Sequence, residues 1–171
     1  MTARTVGTVA ADAAVSDPLG ETEAAYRAAL DSAVRSLGQR EHGRRELERK
    51  LSAKGHAPEL IERVLVYLSA HDLQSDDRYA EGFVRSRIQK GYGPVKIRQE
   101  LNGRGVSEDA LERQLTEPAD FWLDVARRVL DRKFGPDVQH DREAWNTRAR
   151  FLARRGFPAD LIYRALGPDR D

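Results

Sequence analysis

The residues that could do chemistry are few and poorly placed for it. The histidines are His42, His56, His71 and His140, and no two form a His-x-x-x-His pair on one helical face. Asp137-x-x-His140-Asp141 has the types of a metal cluster, but it falls in an expected loop before a helix, where capping or solvation explains it better. Gly91-Tyr92-Gly93-Pro94 lacks the strand and the Lys-Ser/Thr of a phosphate-binding loop and reads as a helix–helix turn. The acid pairs Asp76-Asp77 and Glu108-Asp109 sit at expected helix starts, where negative charge complements the backbone dipole. The chain has no cysteine, which removes disulfides, thiol catalysis and cysteine–zinc sites and fits a reducing, cytoplasmic setting. No constellation of nucleophile, base and oxyanion donors emerges, so neither enzymatic activity nor a cofactor is expected.

The basic residues are more informative. The chain's formal net charge is only +1. Residues 1–23 carry a net −3 and residues 167–171 a net −1, so the intervening body carries +5. Most of its cations are arginines, whose planar forks suit phosphate and carboxylate. On a helical wheel centred on Phe83, the apolar arc holds Tyr79, Ala80, Val84 and Ile88, with Arg85 on the far side and Lys90 at the helix end near the arc's edge. Lys96, Arg98 and Arg104 follow, and Arg127, Arg128 and Arg132 hold comparable places further on. This stripe is a candidate face for acidic protein surface or DNA phosphate; a plain solvated face is the competing reading. Arg87 projects into the apolar arc, where buried charge needs a partner. A structural ion pair and a functional contact are both open for it.

The elements that position these residues repeat. Leu47, Leu51, Gly55, Ile61, Arg63 and Leu65 match Ile97, Leu101, Gly105, Leu111, Arg113 and Leu115 at a constant offset of 50. Leu152, Gly156, Ile162, Arg164 and Leu166 follow 51 residues later. Each copy reads as a helix, a Gly-centred turn and a second helix: KGHAPELI, RGVSEDAL and RGFPADLI. A preceding helix repeats too. Tyr79, Phe83, Val84, Ile88, Tyr92, Gly93 and Pro94 match Phe121, Val125, Ala126, Leu130, Phe134, Gly135 and Pro136 at an offset of 42. Tyr26, Leu30, Val34 and Leu37 give a similar stripe in the first copy, so that Val34 and Val129 hold the position of Arg87 in the first and third copies.

The pattern predicts nine helices, near 22–37, 42–53, 58–69, 76–90, 94–103, 107–116, 119–133, 141–154 and 158–166, with no period-two strand signal. The expected class is all-α: three tandem three-helix repeats forming an elongated, curved solenoid. Residues 1–20, aperiodic and polar, are expected to be a disordered N-terminal extension. The repeats span 21–72, 73–117 and 118–166, and 167–171 form a C-terminal tail. No apolar run approaches a membrane span, and the N-terminus lacks the apolar stretch of a secretory signal.

These segments resemble the RecX regulatory-protein family. Arg40-Glu41-His42-Gly43-Arg44-Arg45-Glu46-Leu47-Glu48-Arg49-Lys50-Leu51 is similar to the family's R-E-H-S-R-x-E-L-x-x-K-L segment. The run from Asp76 to Arg87, then Lys90-Gly91-Tyr92-Gly93-Pro94 and Ile97-Arg98-Gln99-Glu100-Leu101, is similar to its D-D-x-x-[FY]-A-x-x-[FY]-V-x-x-R and K-G-x-x-[RP]-I-x-x-E-L stretches. Arg154-Arg155-Gly156-Phe157 is also typical. The resemblance covers roughly residues 24–166. Gly43 departs from it where a serine cap is common, and Arg148 stands where the earlier copies have Leu47 and Ile97. The resemblance implies a non-catalytic regulator that binds the RecA filament on single-stranded DNA, lies in its groove and limits its growth or activity, in recombination, repair and the SOS response; the sequence itself, with no coiled-coil heptads and no dimer seam, adds the expectation of a monomer. Contact with the DNA inside the filament is open within this reading, and a general DNA-binding helical repeat protein is the alternative.

Overall fold

The computed structural model describes residues 18–135 and 141–167. Among them are nine helices: α1 (Pro18–Leu37), α2 (Arg44–Ala53), α3 (Pro58–Ala70), α4 (Asp76–Gln89), α5 (Pro94–Gly103), α6 (Glu108–Gln114), α7 (Ala119–Phe134), α8 (Arg142–Arg155) and α9 (Ala159–Leu166), with no strand among the described residues. Each consecutive trio packs on itself, the first helix lying against the third.

The repeat offsets are visible in the packing. Leu51, Leu101 and Leu152, each four residues before a turn glycine, are at most 1% exposed. Gly55, Gly105 and Gly156 adopt φ of +83°, +81° and +85°, the left-handed conformation that ends a helix and that only glycine reaches without strain. Unit 1 closes over its own core of Leu47, Leu51, Val64, Leu65 and Leu68. Units 2 and 3 share one continuous core that runs from Tyr79 and Leu101 through Trp122 and Val129 to Phe157 and Ile162.

The boundaries differ from the sequence pattern in instructive ways. α1 starts at Pro18, so residues 18–20, expected in the extension, belong to a helix; proline's fixed φ suits a first helical position. Residues 1–17, the tail at 168–171, and the Asp137 and His140 positions lie outside the described residues. α2 starts at Arg44 rather than 42, because Gly43 is extended at φ −69° and ψ 151°. Val34, expected on the apolar stripe, is 47% exposed; Ala29 and Ala33 take the buried places, since small side chains let α1 approach α3 closely.

Two joints link the units, and they are built alike in plan. The N-terminus of each unit's second helix presses into the turn of the next unit. At the first joint, Gly43 lies under the Tyr79 ring, and Gly105 lies under the Arg45 side chain. Asp76 Oδ1 accepts from the Arg44 amide and from Gln74 Nε2, both at 2.8 Å, and Arg78 bonds Glu41 at 2.8 Å and Asp72 at 2.7 Å. This explains glycine in place of a serine cap at 43: the cap comes from Asp76, across the joint. At the second joint the contact is backbone on backbone. The Gly93 amide donates to the Arg155 carbonyl at 2.8 Å, and the Val95 amide donates to the Gly156 carbonyl at 3.1 Å. Free donors at the start of α5 thus meet free acceptors at the end of α8.

Candidate interaction face

α4 ends, turns at Gly91 and continues as α5, and this bend sets several cations beside aromatic rings. The Arg87 guanidinium lies 4.9 Å from the centroid of Phe83 and 5.2 Å from that of Tyr92. Arg104, at the C-terminus of α5, covers the Phe83 ring at 5.0 Å and reaches Tyr79 Oη at 3.4 Å. Lys96 lies 5.9 Å from the Tyr92 ring centroid. From unit 3, Arg155 covers both Tyr92 at 5.2 Å and Phe151 at 5.1 Å. Its Nη1 donates to the Lys90 carbonyl at 2.6 Å, which satisfies the end of α4 and ties the units together.

The cations on this face differ in how they are neutralised. Arg87 Nε lies 2.7 Å from Glu100 Oε2, and both side chains are about one-quarter exposed or less. The N–H direction misses hydrogen-bond geometry, leaving that oxygen without a directed donor. The contact is therefore an ion pair by distance alone, and it supplies the structural partner that an arginine in the apolar arc requires. Lys96, Arg104 and Arg155 have no carboxylate partner among the described residues; their charge is held over ring faces. A ring quadrupole attracts a cation without cancelling its charge, by about 0.5–2 kcal/mol. Such groups stay available to an external anion.

The structure gathers only part of the expected stripe here. Arg87, Lys96 and Arg104 come together, and Arg155 joins them. Arg85 lines a different groove, of about 390 Å³, with Arg113 and Phe121, and pairs with Glu81 on its own helix. Arg98 pairs with Glu108. The Lys90 side chain is exposed, while its carbonyl serves Arg155. Arg127 lines a smaller hollow of about 240 Å³ with Arg148 and Gly135, and Arg128 and Arg132 are exposed along α7. Arg148, the departure from the apolar pattern, places its guanidinium 5.1 Å from the Phe134 ring centroid. Arg155 is the member that helical-wheel reasoning misses. It precedes the turn glycine just as Arg104 does, so the repeat offset alone marks it.

Next to this face, His42 is 1% exposed. Its Nδ1 meets the Arg40 carbonyl at 2.9 Å and its Nε2 meets Lys50 Nζ at 2.9 Å. Nε2 must accept from the ammonium, so Nδ1 carries the proton and the ring is neutral. Burial holds the His42 pKa below the ordinary imidazole value; the Arg40 carbonyl opposes this, and the charges of Arg40 and Lys50 reinforce it. Burial raises the pKa of the neighbouring Glu46, but the Arg40 hydrogen bonds and charge, with His42 and Lys50, outweigh it and leave it below the usual carboxylate range.

Family models match this chain in three consecutive blocks: the RecX first three-helix domain at residues 29–68, the second at 75–115 and the third at 120–166. The chain belongs to the RecX family. The regulatory protein RecX of Halorhodospira halophila is 44% identical over 144 residues, covering 84% of this chain and 89% of that protein. The regulatory protein RecX of Pseudomonas syringae pv. tomato is 44% identical over 135 residues, covering 79% and 87%. The crystal structure of RecX from Lactobacillus salivarius superposes with a TM-score of 0.73 at 22% identity, over 84% of this chain and 96% of that one, and corroborates the fold. RecX proteins are regulatory rather than an enzyme class. Among the described residues of this RecX-family chain, no group of three His, Asp or Glu is placed to hold a metal, and no helix is long and apolar enough to cross a membrane.

Proposed function

We propose that this RecX-family protein regulates the RecA recombinase by lying along the RecA filament on single-stranded DNA as a monomer, limiting its growth or activity and so modulating recombination, repair and the SOS response. The observation that carries the reading beyond family membership is the set of unneutralised cations over Phe83, Tyr92 and Phe151, which spans units 2 and 3. A face that crosses a joint suits a partner with its own repeat, and unmatched positive charge draws it to an acidic surface.

The test removes Lys96 and Arg104 together as alanines and leaves Arg155 in place, because Arg155 also ties unit 3 to Lys90. Arg85 and Arg98 are poor targets, since Glu81 and Glu108 already neutralise them. Binding is measured on RecA-coated and on bare single strands across a salt series. Loss on the coated strand alone, with melting unchanged, supports filament regulation. Equal loss on both strands, with a flatter salt slope, favours a general DNA-binding role, because aromatic-backed cations also suit single-stranded nucleic acid.

A further inference from the structure

Gly82 is out of place in its helix. It sits in the interior of α4, where glycine weakens a helix relative to any ordinary residue. At the joints a close neighbour explains the glycine, Gly93 meeting the Gly156 backbone and Gly105 meeting Arg45, and at Gly55, Gly135 and Gly167 a positive φ does. At Gly82 a Cβ would meet nothing within 4 Å among the described residues. The fold therefore does not require the missing side chain. What its absence creates is space: Gly82 forms part of the wall of an open groove of about 450 Å³ between units 1 and 2.

The groove's walls are mostly apolar. The rings of Tyr79 and Phe83 line it, their centroids 6.2 Å apart, with Arg40 and Glu41 on the unit 1 side and Arg104 on the other. Two of its three charges are already matched within the protein: Arg40 by Glu46, and Glu41 by Arg78. Arg104 has no carboxylate partner among the described residues; it lies over Phe83 and donates to Tyr79 Oη. A polyanion track would offer a run of free cations; this groove offers aromatic wall and one positive charge.

We propose that the groove over Gly82 receives an apolar side chain of a partner protein with a carboxylate close by in the partner's sequence, the apolar group packing on Tyr79 and Phe83 and the carboxylate pairing with Arg104. This rests on the reading above in one respect: the partner is a protomer of the RecA filament. Binding through the groove also reads the relative placement of units 1 and 2, because its walls come from both.

The test is Gly82→Leu, which fills the groove without touching any existing contact and places a good helix former on α4. Arg104→Glu is the second variant, reversing the one unmatched charge. Binding to RecA-coated single strands and to bare single strands is measured for wild type and both variants, with melting temperature as the check on folding. Both variants should bind the coated strand about tenfold more weakly or worse, the loss expected for blocking a central contact. Gly82→Leu should melt no lower than wild type and bind bare strand as wild type does. Unchanged filament binding by Gly82→Leu overturns the groove while leaving filament regulation standing. An equal loss on bare strand assigns the groove to a nucleobase and overturns the protein occupant. Wild type that fails to bind coated strands at all removes both readings.

Discussion

Gly93→Ala should break the joint between units 2 and 3. The new methyl would lie 2.4 Å from the Gly156 carbonyl oxygen, 2.6 Å from its carbon and 2.7 Å from the Phe157 amide nitrogen. Comfortable carbon contacts begin near 3.5 Å, so the two backbones must separate by about 1 Å. That movement stretches the Gly93–Arg155 and Val95–Gly156 hydrogen bonds, now 2.8 and 3.1 Å. Each is worth about 0.5–1.5 kcal/mol. Overpacking against unyielding backbone adds about 1–3 kcal/mol. The reduced freedom of the unfolded chain returns about 0.4–1 kcal/mol. The net destabilisation is about 2–5 kcal/mol, which at this chain length lowers the melting temperature by about 5–20 °C. Gly93 has φ −87°, which alanine adopts freely, so close approach alone is tested. The control is Gly43→Ala at the other joint, also at negative φ, where the methyl meets side chains rather than backbone: the Tyr79 ring at 3.2 Å and Asp76 Oδ1 at an ordinary 3.6 Å. It should cost under about 1 kcal/mol. Thermal and urea unfolding followed by circular dichroism would measure both, and hydrogen exchange at Gly93 and Val95 would report the joint directly. A Gly93→Ala protein that melts with wild type and keeps both amides protected would refute the backbone contact.

Leu101→Ala, at a fully buried site in the shared core, should cost about 2–5 kcal/mol in urea unfolding. Gly82→Ala should instead raise stability by about 0.5–1 kcal/mol, since nothing stands where the methyl goes; a loss would mean that the groove is tighter than described. Asp76→Ala removes the acceptor shared by the Arg44 amide and Gln74 and should cost about 1–3 kcal/mol, with unit 1 melting before the rest; a single unshifted transition would contradict the role of this joint. His42 governs the pH response. Its folded pKa is depressed, so below about 6.5 the unfolded chain takes up a proton that the folded protein refuses. Stability should be full above that value and fall as pH drops from 7 to 5.5, a window in which Glu46, itself depressed, stays ionised. His42→Gln should flatten this slope, as read from urea midpoints; an unchanged slope would place the titration elsewhere.

The helices were legible because their punctuation is local: a turn glycine, a cap, a proline and an apolar period, repeated at a near-constant offset. The joints were not, because they depend on how distant surfaces meet. Gly93 reads in sequence as a stop before Pro94, and nothing local says that Gly156 lies against it. The basic stripe was legible as exposed positions but not as free charge. Arg85 has Glu81 four residues earlier, a pairing that sequence does show. Arg98 finds Glu108 on another helix, which the wheel cannot show. Val34 misled because apolar identity marks a stripe, while the closeness of α1 to α3 selected the alanines beside it.

The repeated joint has a consequence for the ends of the molecule. Think of each unit as carrying a plug, the start of its second helix, and a socket, its glycine turn. The sockets at Gly105 and Gly156 are filled by Arg45 and by Lys96 with Gly93, whereas at Gly55 nothing lies within 4 Å among the described residues. A second molecule docked there would begin an open-ended head-to-tail fibre. The plug it would have to offer is the start of α8, where glycine has been replaced by Asp141. The Asp141 carboxylate accepts from the Ala144 amide of its own helix at 2.7 Å. That helix start caps itself and brings a side chain where the filled sockets admit glycine or an alkyl stem. Self-capping at the start of α8 is therefore expected to disfavour head-to-tail stacking of molecules through the turn at Gly55.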